Sequence, residues 1–509
     1  MRRRRLLALL GAIALTVSLA AATDTASARD VSRLRVAGAT STFGLVTASS
    51  TAELAVYTEE EEDWSFMELD LGVHAAAGRQ PFEIRAVRTS YDKPIEATRV
   101  TPDGTHALPS GLVADLSGLT DFATVTLKDS RGRTVLSKSL DFCPNGWAQR
   151  ISKDAPIDSH YPMECAFNPY SLGGVWGIQR GYAVPLLGED GYVDSDEMDL
   201  PKPGRYRAEV KVNSAYAKAL RIPPSSTTAR LRVKVVKGDF DEEEGFRASR
   251  ASMDNARAAS RPLAAASIPA SAPKPDLRSL PAWGIGAHKN DVVFNATVWN
   301  GGRSPLVVDG YRRRGASVMD AYQYVLDENG QQLGYQRVGS MLWDSREEHD
   351  HWHFKDFAKY SLVDKNKKQV FVSTKEAFCL ANTDAVDYTV PGADWHPGNS
   401  DLESACGERG SLSVREVLSS GSGDTYEQYR PGQALSLKGK PNGTYYIKVE
   451  ANPMRRLKES DTGNNVSYRK ITVGGKPGKR TVKAEKVGLV EEFDWFDFEE
   501  FSVRAGLGG

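Results

Sequence analysis

Short stretches in which apolar and polar residues alternate, each closed by a turn signal, recur on both sides of a single compositional break, and a chain patterned this way has few folds open to it other than stacked β-sheets. Before the break the stretches cover 34–37, 51–57, 81–87, 123–127, 134–140, 205–212 and 229–236, with the pair 123–127 and 134–140 joined across Ser130-Arg131-Gly132. After it they cover 291–299, 321–326, 332–337, 360–363, 369–372, 444–450 and 466–473, with Asn329-Gly330 as the strongest hairpin signal. The break itself, 239–275, is Asp/Glu-rich and then Ala/Ser/Arg/Pro-rich, with little to bury. It reads as a flexible linker with a transient helix over 247–258. The expectation is an all-β protein of two Ig-like β-sandwiches, 29–238 and 276–475, the second carrying long loops between 376 and 433, followed by a tail at 476–509.

The chain opens with Arg2 to Arg5, an apolar stretch over 6–22 and a small-residue site at Ala26-Ser27-Ala28, the layout of a cleavable secretion signal over 1–28. No later stretch reaches the ~18 consecutive apolar residues of a membrane span. The protein is therefore expected to be secreted and extracellular, with no membrane span. Its 65 basic and 66 acidic residues leave a formal charge of −1, so no global field favours nucleic acid, and none is expected as a partner. Four cysteines in an exported chain read as structural staples. Near-sequence pairing gives Cys143–Cys165 and Cys379–Cys406, one of three possible connectivities.

Only eight histidines occur, and three of them fall within five residues, at His349, His351 and His353. Imidazole is a ligand for copper, zinc, iron and nickel, and its neutral form is available near pH 7. Side chains at i, i+2 and i+4 of an extended segment leave one face, so the run reads as a transition-metal site. A flat strand would hold the outer two about 13 Å apart at the backbone, so convergence on one ion needs a bend. By contrast, His74, His106 and His160 stand singly in the first half, where lone histidines are ordinarily surface or hydrogen-bonded residues. The acidic run at 59–63 reads as a solvated loop.

Two further runs follow the triplet in order: Thr374-Lys375-Glu376-Ala377-Phe378-Cys379-Leu380 and Gly423-Asp424-Thr425-Tyr426. With Phe357-x-x-Tyr360-x-Leu362 between them and the triplet, the segment from about Asp276 to Val473 resembles the lysyl oxidase family of copper amine oxidases. Pro275-Asp276-Leu277 at the start, and Asn452-Pro453, Glu459-Ser460-Asp461 and Asn464-Asn465-Val466 near the end, extend the resemblance. It implies Cu(II) held by His349, His351 and His353. It also implies a lysine tyrosylquinone built by crosslinking Lys375 to Tyr426, so that no external organic cofactor is needed. Oxidative deamination of a primary amine or of a lysine-containing protein is implied as well, with molecular oxygen as acceptor and aldehyde, ammonia and hydrogen peroxide as products. The animal members are richer in cysteine and carry an extra residue between the triplet and the aromatic strand, which leaves the loop geometry here open.

The residue types suit that chemistry on their own terms. A three-imidazole copper site keeps positions open, and a nearby metal cation makes a phenol easier to ionise. Lysine is the side chain whose charge burial suppresses most readily, which makes it a nucleophile towards an oxidised ring. Turnover also needs a general base near the ring. Asp424 and His396 are the candidates by sequence position, although a solvated turn aspartate and a surface histidine are the commoner roles. Trp343, Trp352 and Trp395 near these runs are expected either to line an amine pocket or to pack.

A competing reading makes the protein a non-catalytic copper-binding Ig-like surface or matrix protein, since Asn300-Gly301-Gly302 and the closing Asn464-Asn465 run suit adhesion modules too. A zinc hydrolase is disfavoured by the lack of a helical His-Glu-x-x-His arrangement. The tail carries Phe493, Trp495, Phe496, Phe498 and Phe501 among acidic residues, a composition suited to folding over a cation-binding cleft or docking a partner.

Overall fold

The computed structural model describes residues 43–47, 49–59, 64–187, 192–196, 198–238, 267–312, 318–327, 329–344, 351–373, 377–397, 402–428 and 433–492. Among them the protein is all-β, and the one α-helix is Ser214–Ala219, whose first turn is capped by the Asn213 side chain accepting from the Ala215 N–H. The expected signal, the stretch at 34–37, the linker from 239 to 266 and the aromatic tail from 493 lie outside the described residues. No helix among those described is long and apolar enough to cross a membrane.

In the N-terminal half a seven-stranded sheet runs in the order Tyr192–Asp194, Trp64–Glu68, Thr51–Glu59, Thr228–Lys237, Gly204–Val212, Leu119–Lys128 and Thr134–Phe142. Its pairings are antiparallel except where Thr228–Lys237 lies parallel to Thr51–Glu59. Alternation decides its faces: Ala229, Leu231, Val233 and Val235 point inwards while Arg230, Arg232 and Lys234 stay outside. Two four-stranded sheets share the same core, and Phe43 from one stacks on Phe82 from the other with ring centroids 4.0 Å apart. Cys143 and Cys165 are joined in a disulfide at a Cα separation of 5.9 Å.

The C-terminal half has three sheets around a second core. The first, of six strands, runs Ala377–Phe378, His351–Lys355, Gln332–Asp344, Val318–Leu326, Leu306–Arg312 and Ser413–Leu418. Another places Leu277–Ser279, Asp291–Asn300, Ser422–Tyr426 and Asp384–Ala385 side by side, and the third ends with Val466–Lys476 paired to Lys479–Ala484. The region expected as long loops, 376–433, keeps a strand-free stretch over the described part of 386–412. It also supplies the strands Ser413–Leu418 and Ser422–Tyr426. Tyr426 therefore sits on a sheet strand, where sequence order alone had suggested a loop.

Asp291–Asn300 and Ser422–Tyr426 form a wall buried on both faces. Val292, Phe294, Ala296 and Val298 face the C-terminal core, while Trp299 on the other face joins a cluster with Tyr170 of the N-terminal half. The two halves meet there through backbone as well: Leu172 N–H donates to Val386 O at 2.7 Å and Tyr388 N–H to Gly173 O at 2.9 Å. Glycine at 173 leaves room for the Asp387 and Thr389 side chains, which a Cβ there would push aside.

Candidate active site

The described part of the histidine triplet is a strand. His351–Lys355 is clamped between Gln332–Asp344 on one side, with Asp344 opposite His351 and Leu342 opposite His353, and Ala377–Phe378 on the other. The period of two sends His351 and His353 to one face, with ring centroids 4.7 Å apart and planes at 70°. His353 is buried, and its Nδ1 lies 3.5 Å from the Asp344 carboxylate. Trp352 takes the opposite face, fully buried, with its indole N–H donating to Glu408 O at 3.0 Å. Its backbone N–H donates to Cys406 O, and Arg312 lies over its ring at 5.2 Å. Trp352 is therefore a packing residue, and Trp343 meets it edge-on at 5.8 Å.

His349 lies outside the described residues, and among those described no group of three His, Cys, Asp or Glu side chains draws together as a metal site. The donors in place are two imidazoles on one face and a carboxylate beside one of them. Imidazole with a carboxylate beside it is a donor set that transition metals accept.

Tyr426 ends the strand Ser422–Tyr426. Its ring meets Phe378 edge-on at 4.8 Å and its hydroxyl donates to Cys379 O at 2.9 Å. Phe378 is the registered neighbour of Phe354, the residue after His353. The disulfide Cys379–Cys406, with a Cα separation of 6.0 Å, ties the same spot to Cys406, whose carbonyl holds the Trp352 N–H. Phe354 and Phe378 lie on the Trp352 face of that sheet, opposite His351 and His353, and Tyr426 packs there from a strand of the neighbouring sheet. Lys375 lies outside the described residues.

Asp424 shares a face with Tyr426, two residues earlier on the same strand, and is buried. Burial holds the Tyr426 phenol well above its usual range, and the charges of Asp424, Glu416 and Tyr360 push it the same way. Tyr360 is also raised, first by burial and then by Asp424. His396 stands elsewhere. Its backbone N–H is fixed by Asp394, which in turn binds the turn at Ser419 and Ser420, ahead of the strand start. From Ser422 to Tyr426 is four residues, about 13 Å of strand. Trp395 beside it packs on the N-terminal core and against His160 at 5.1 Å, so this tryptophan too is a packing residue.

Three carboxylates that sequence order did not single out belong to the site's surroundings. Asp344 lies opposite His351 by antiparallel register, a relation no local pattern signals. Glu416 is fully buried and accepts the backbone N–H of Leu380 at 3.1 Å and that of Phe354. It thereby braces the strand His351–Lys355 against Leu380. Burial raises its carboxyl well above the usual range, with Asp424 adding to the effect. A signal for it existed: Val414, Glu416 and Leu418 share one face of their strand, so a charge stands in an apolar row. The third, Asp384, is paired with Gly423 of the Tyr426 strand.

Residues 322–481 match the model of the Lysyl oxidase family, a span that takes in the histidine triplet, Lys375, Asp424 and Tyr426 and leaves the N-terminal half outside it. No curated protein matches the chain.

Proposed function

From a C-terminal segment of lysyl oxidase type, we propose that this protein is a secreted, copper-dependent amine oxidase acting on primary amines or peptidyl lysine, with a lysine tyrosylquinone formed from Lys375 and Tyr426. The carrying observation is the place of Tyr426. Its phenol donates to the carbonyl of Cys379, four residues from Lys375 and directly after the strand Ala377–Phe378 that pairs with the strand of His351 and His353. Oxidase activity matches the family of the segment, and the two disulfides suit an extracellular protein.

His349, His351 and His353 would hold the metal, and Asp344, beside Nδ1 of His353, would fix that ring's tautomer and raise its basicity as a ligand. Bound copper supplies the positive charge that lets a buried phenol ionise and the redox capacity that lets it be oxidised. The chain supplies the rest. Phe378, Tyr360 and Phe354 pack around Tyr426 in the C-terminal core and shield its ring from side reactions with bulk solvent. Asp424, on the face of Tyr426 and buried with it, would serve as the base for the α-proton of an amine at the ring. His396, tethered at the far end of that strand, would not. Across the cycle one amine, one dioxygen and one water become one aldehyde, one ammonia and one hydrogen peroxide.

Peptide mapping of copper-loaded protein tests the reading. A covalent Lys375–Tyr426 peptide, a phenylhydrazine-reactive band and peroxide release with primary amines are expected. Full copper occupancy with no crosslink and no peroxide would leave a copper-binding module instead.

A further inference from the structure

We propose that the N-terminal half is a positioning element of the oxidase site. In this role Asn168 sets the strand that carries Asp424 and Tyr426 through a buried chain of hydrogen bonds ending on Asp384. The proposal rests on the reading of Tyr426 as the cofactor tyrosine, and it gives the N-terminal half a role within the site itself.

The strand Ser422–Tyr426 presents two faces. Asp424 and Tyr426 point into the C-terminal core, so Thr425 between them points towards the N-terminal half. There Asn168 Nδ2 donates to Thr297 Oγ1 at 2.7 Å, and Trp283 Nε1 approaches the same oxygen at 3.4 Å. Thr297 Oγ1 lies 2.6 Å from Thr425 Oγ1, and Thr425 donates to the Asp384 carboxylate, which Asn168 also bonds.

Donor counting orients the chain. The Asn168 amide and the Trp283 indole can only donate at those nitrogens, so Thr297 must spend its own proton on Thr425, whose proton then goes to Asp384. Every hydroxyl is used in one direction, and all five residues are buried. Such a network has one low-energy arrangement, since reversing any link leaves a buried donor facing a donor. Thr297 and Thr425 are also registered partners, as are Ala296 with Tyr426 and Asp384 with Gly423. The network therefore pins the Tyr426 strand from behind, between two neighbours. The Asn168 side chain is itself fixed, because its Oδ1 accepts the Tyr170 N–H at 2.9 Å. Ser171, three residues on, donates to Ala385 O at 3.1 Å and anchors the loop beside the Asp384–Ala385 strand.

The test uses the full chain with Asn168→Ala, Thr297→Val, Thr297→Ser and, as a control at another point of the same junction, Tyr170→Phe. Hydrogen exchange at the amides of 422–426 is read on copper-free protein, and Lys375–Tyr426 crosslink yield and copper stoichiometry on copper-loaded protein. Asn168→Ala and Thr297→Val are expected to speed exchange at 422–426 by about tenfold, the factor equivalent to one lost buried hydrogen bond. They should also cut crosslink yield several-fold at unchanged copper stoichiometry. Thr297→Ser, which keeps the hydroxyl, should behave as wild type, and so should Tyr170→Phe.

Unchanged exchange and yield in both network variants would overturn the proposal. An equal effect from Tyr170→Phe would overturn it too, since general loosening of the junction would then be the cause. If Asn168→Ala does not fold, the Thr297 pair decides the matter. Absence of any crosslink in wild type would refute the oxidase reading, while the exchange measurement would still decide whether the network holds the strand.

Discussion

On the proposed reading His353 would be a copper ligand and Asp344 the carboxylate that supports it. The 3.5 Å approach of the Asp344 carboxylate to Nδ1 means that Asp344→Asn should weaken copper binding by about ten- to a hundredfold without removing a ligand, measurable by competition titration. Asp424→Asn should leave the crosslink intact and lower amine turnover by about a hundredfold or more, as loss of a general base does; full turnover in this variant would clear Asp424 of that role. Asp384 carries a pH signature. Burial, with the charges of Glu164 and Glu427, pushes its carboxyl up to about 7, against the opposing hydrogen bonds from Thr425 and Asn168. Its folded value thus exceeds its unfolded one, so the stability it contributes is fully present below about pH 4 and is lost as pH rises through about 7. Asp384→Asn should flatten the stability profile across that window in denaturant titrations. A slope identical to wild type would show that another group titrates there.

At the scale of elements, the disulfide Cys379–Cys406 closes a loop with a sequence separation of 27 and anchors both the carbonyl that receives the Tyr426 hydroxyl and the one that receives the Trp352 N–H. Replacing both cysteines by serine should cost about 3.5 kcal/mol by loop entropy, and should lower crosslink yield because the segment after Lys375 loses its tether. Chemical denaturation and peptide mapping read the two effects separately. Strands with strong alternation were legible from residues alone: the expected 229–236 and 205–212 appear as Thr228–Lys237 and Gly204–Val212. Val73–Ala77 and Gly173–Ile178 were not, being rich in alanine and glycine. They are strands because partners on both sides or close packing at a junction make them so, and intrinsic preference has little part in it.

Across the whole molecule the two halves are held by a clasp in which Arg469, itself buried, bonds Glu492 and the Tyr170 hydroxyl, and Tyr170 also bonds Glu492. The segment carrying Glu492 crosses the junction, with Val490 clustered on Tyr170, Leu280 and Trp299, and Leu489 N–H on Tyr91 O at 2.7 Å. Glu492→Ala would leave a buried guanidinium without its carboxylate, at a cost of about 3 kcal/mol. In calorimetry the main transition should move down and begin to separate into two. An unshifted single transition would show that the clasp is not what couples the halves.

By itself the sequence determined the strand-rich character, the staple cysteines and the order of the histidines, Lys375 and Tyr426, because alternation, spacing and residue chemistry are properties of neighbours along the chain. Only the tertiary structure decided that Tyr426 stands on a doubly buried strand, that Glu416 braces the strand of His351 and His353, and that Asn168 reaches the strand of Tyr426 from the other half. These relations join residues some forty to two hundred and fifty positions apart. Strand register and sheet packing create them, and no local pattern encodes which buried face meets which.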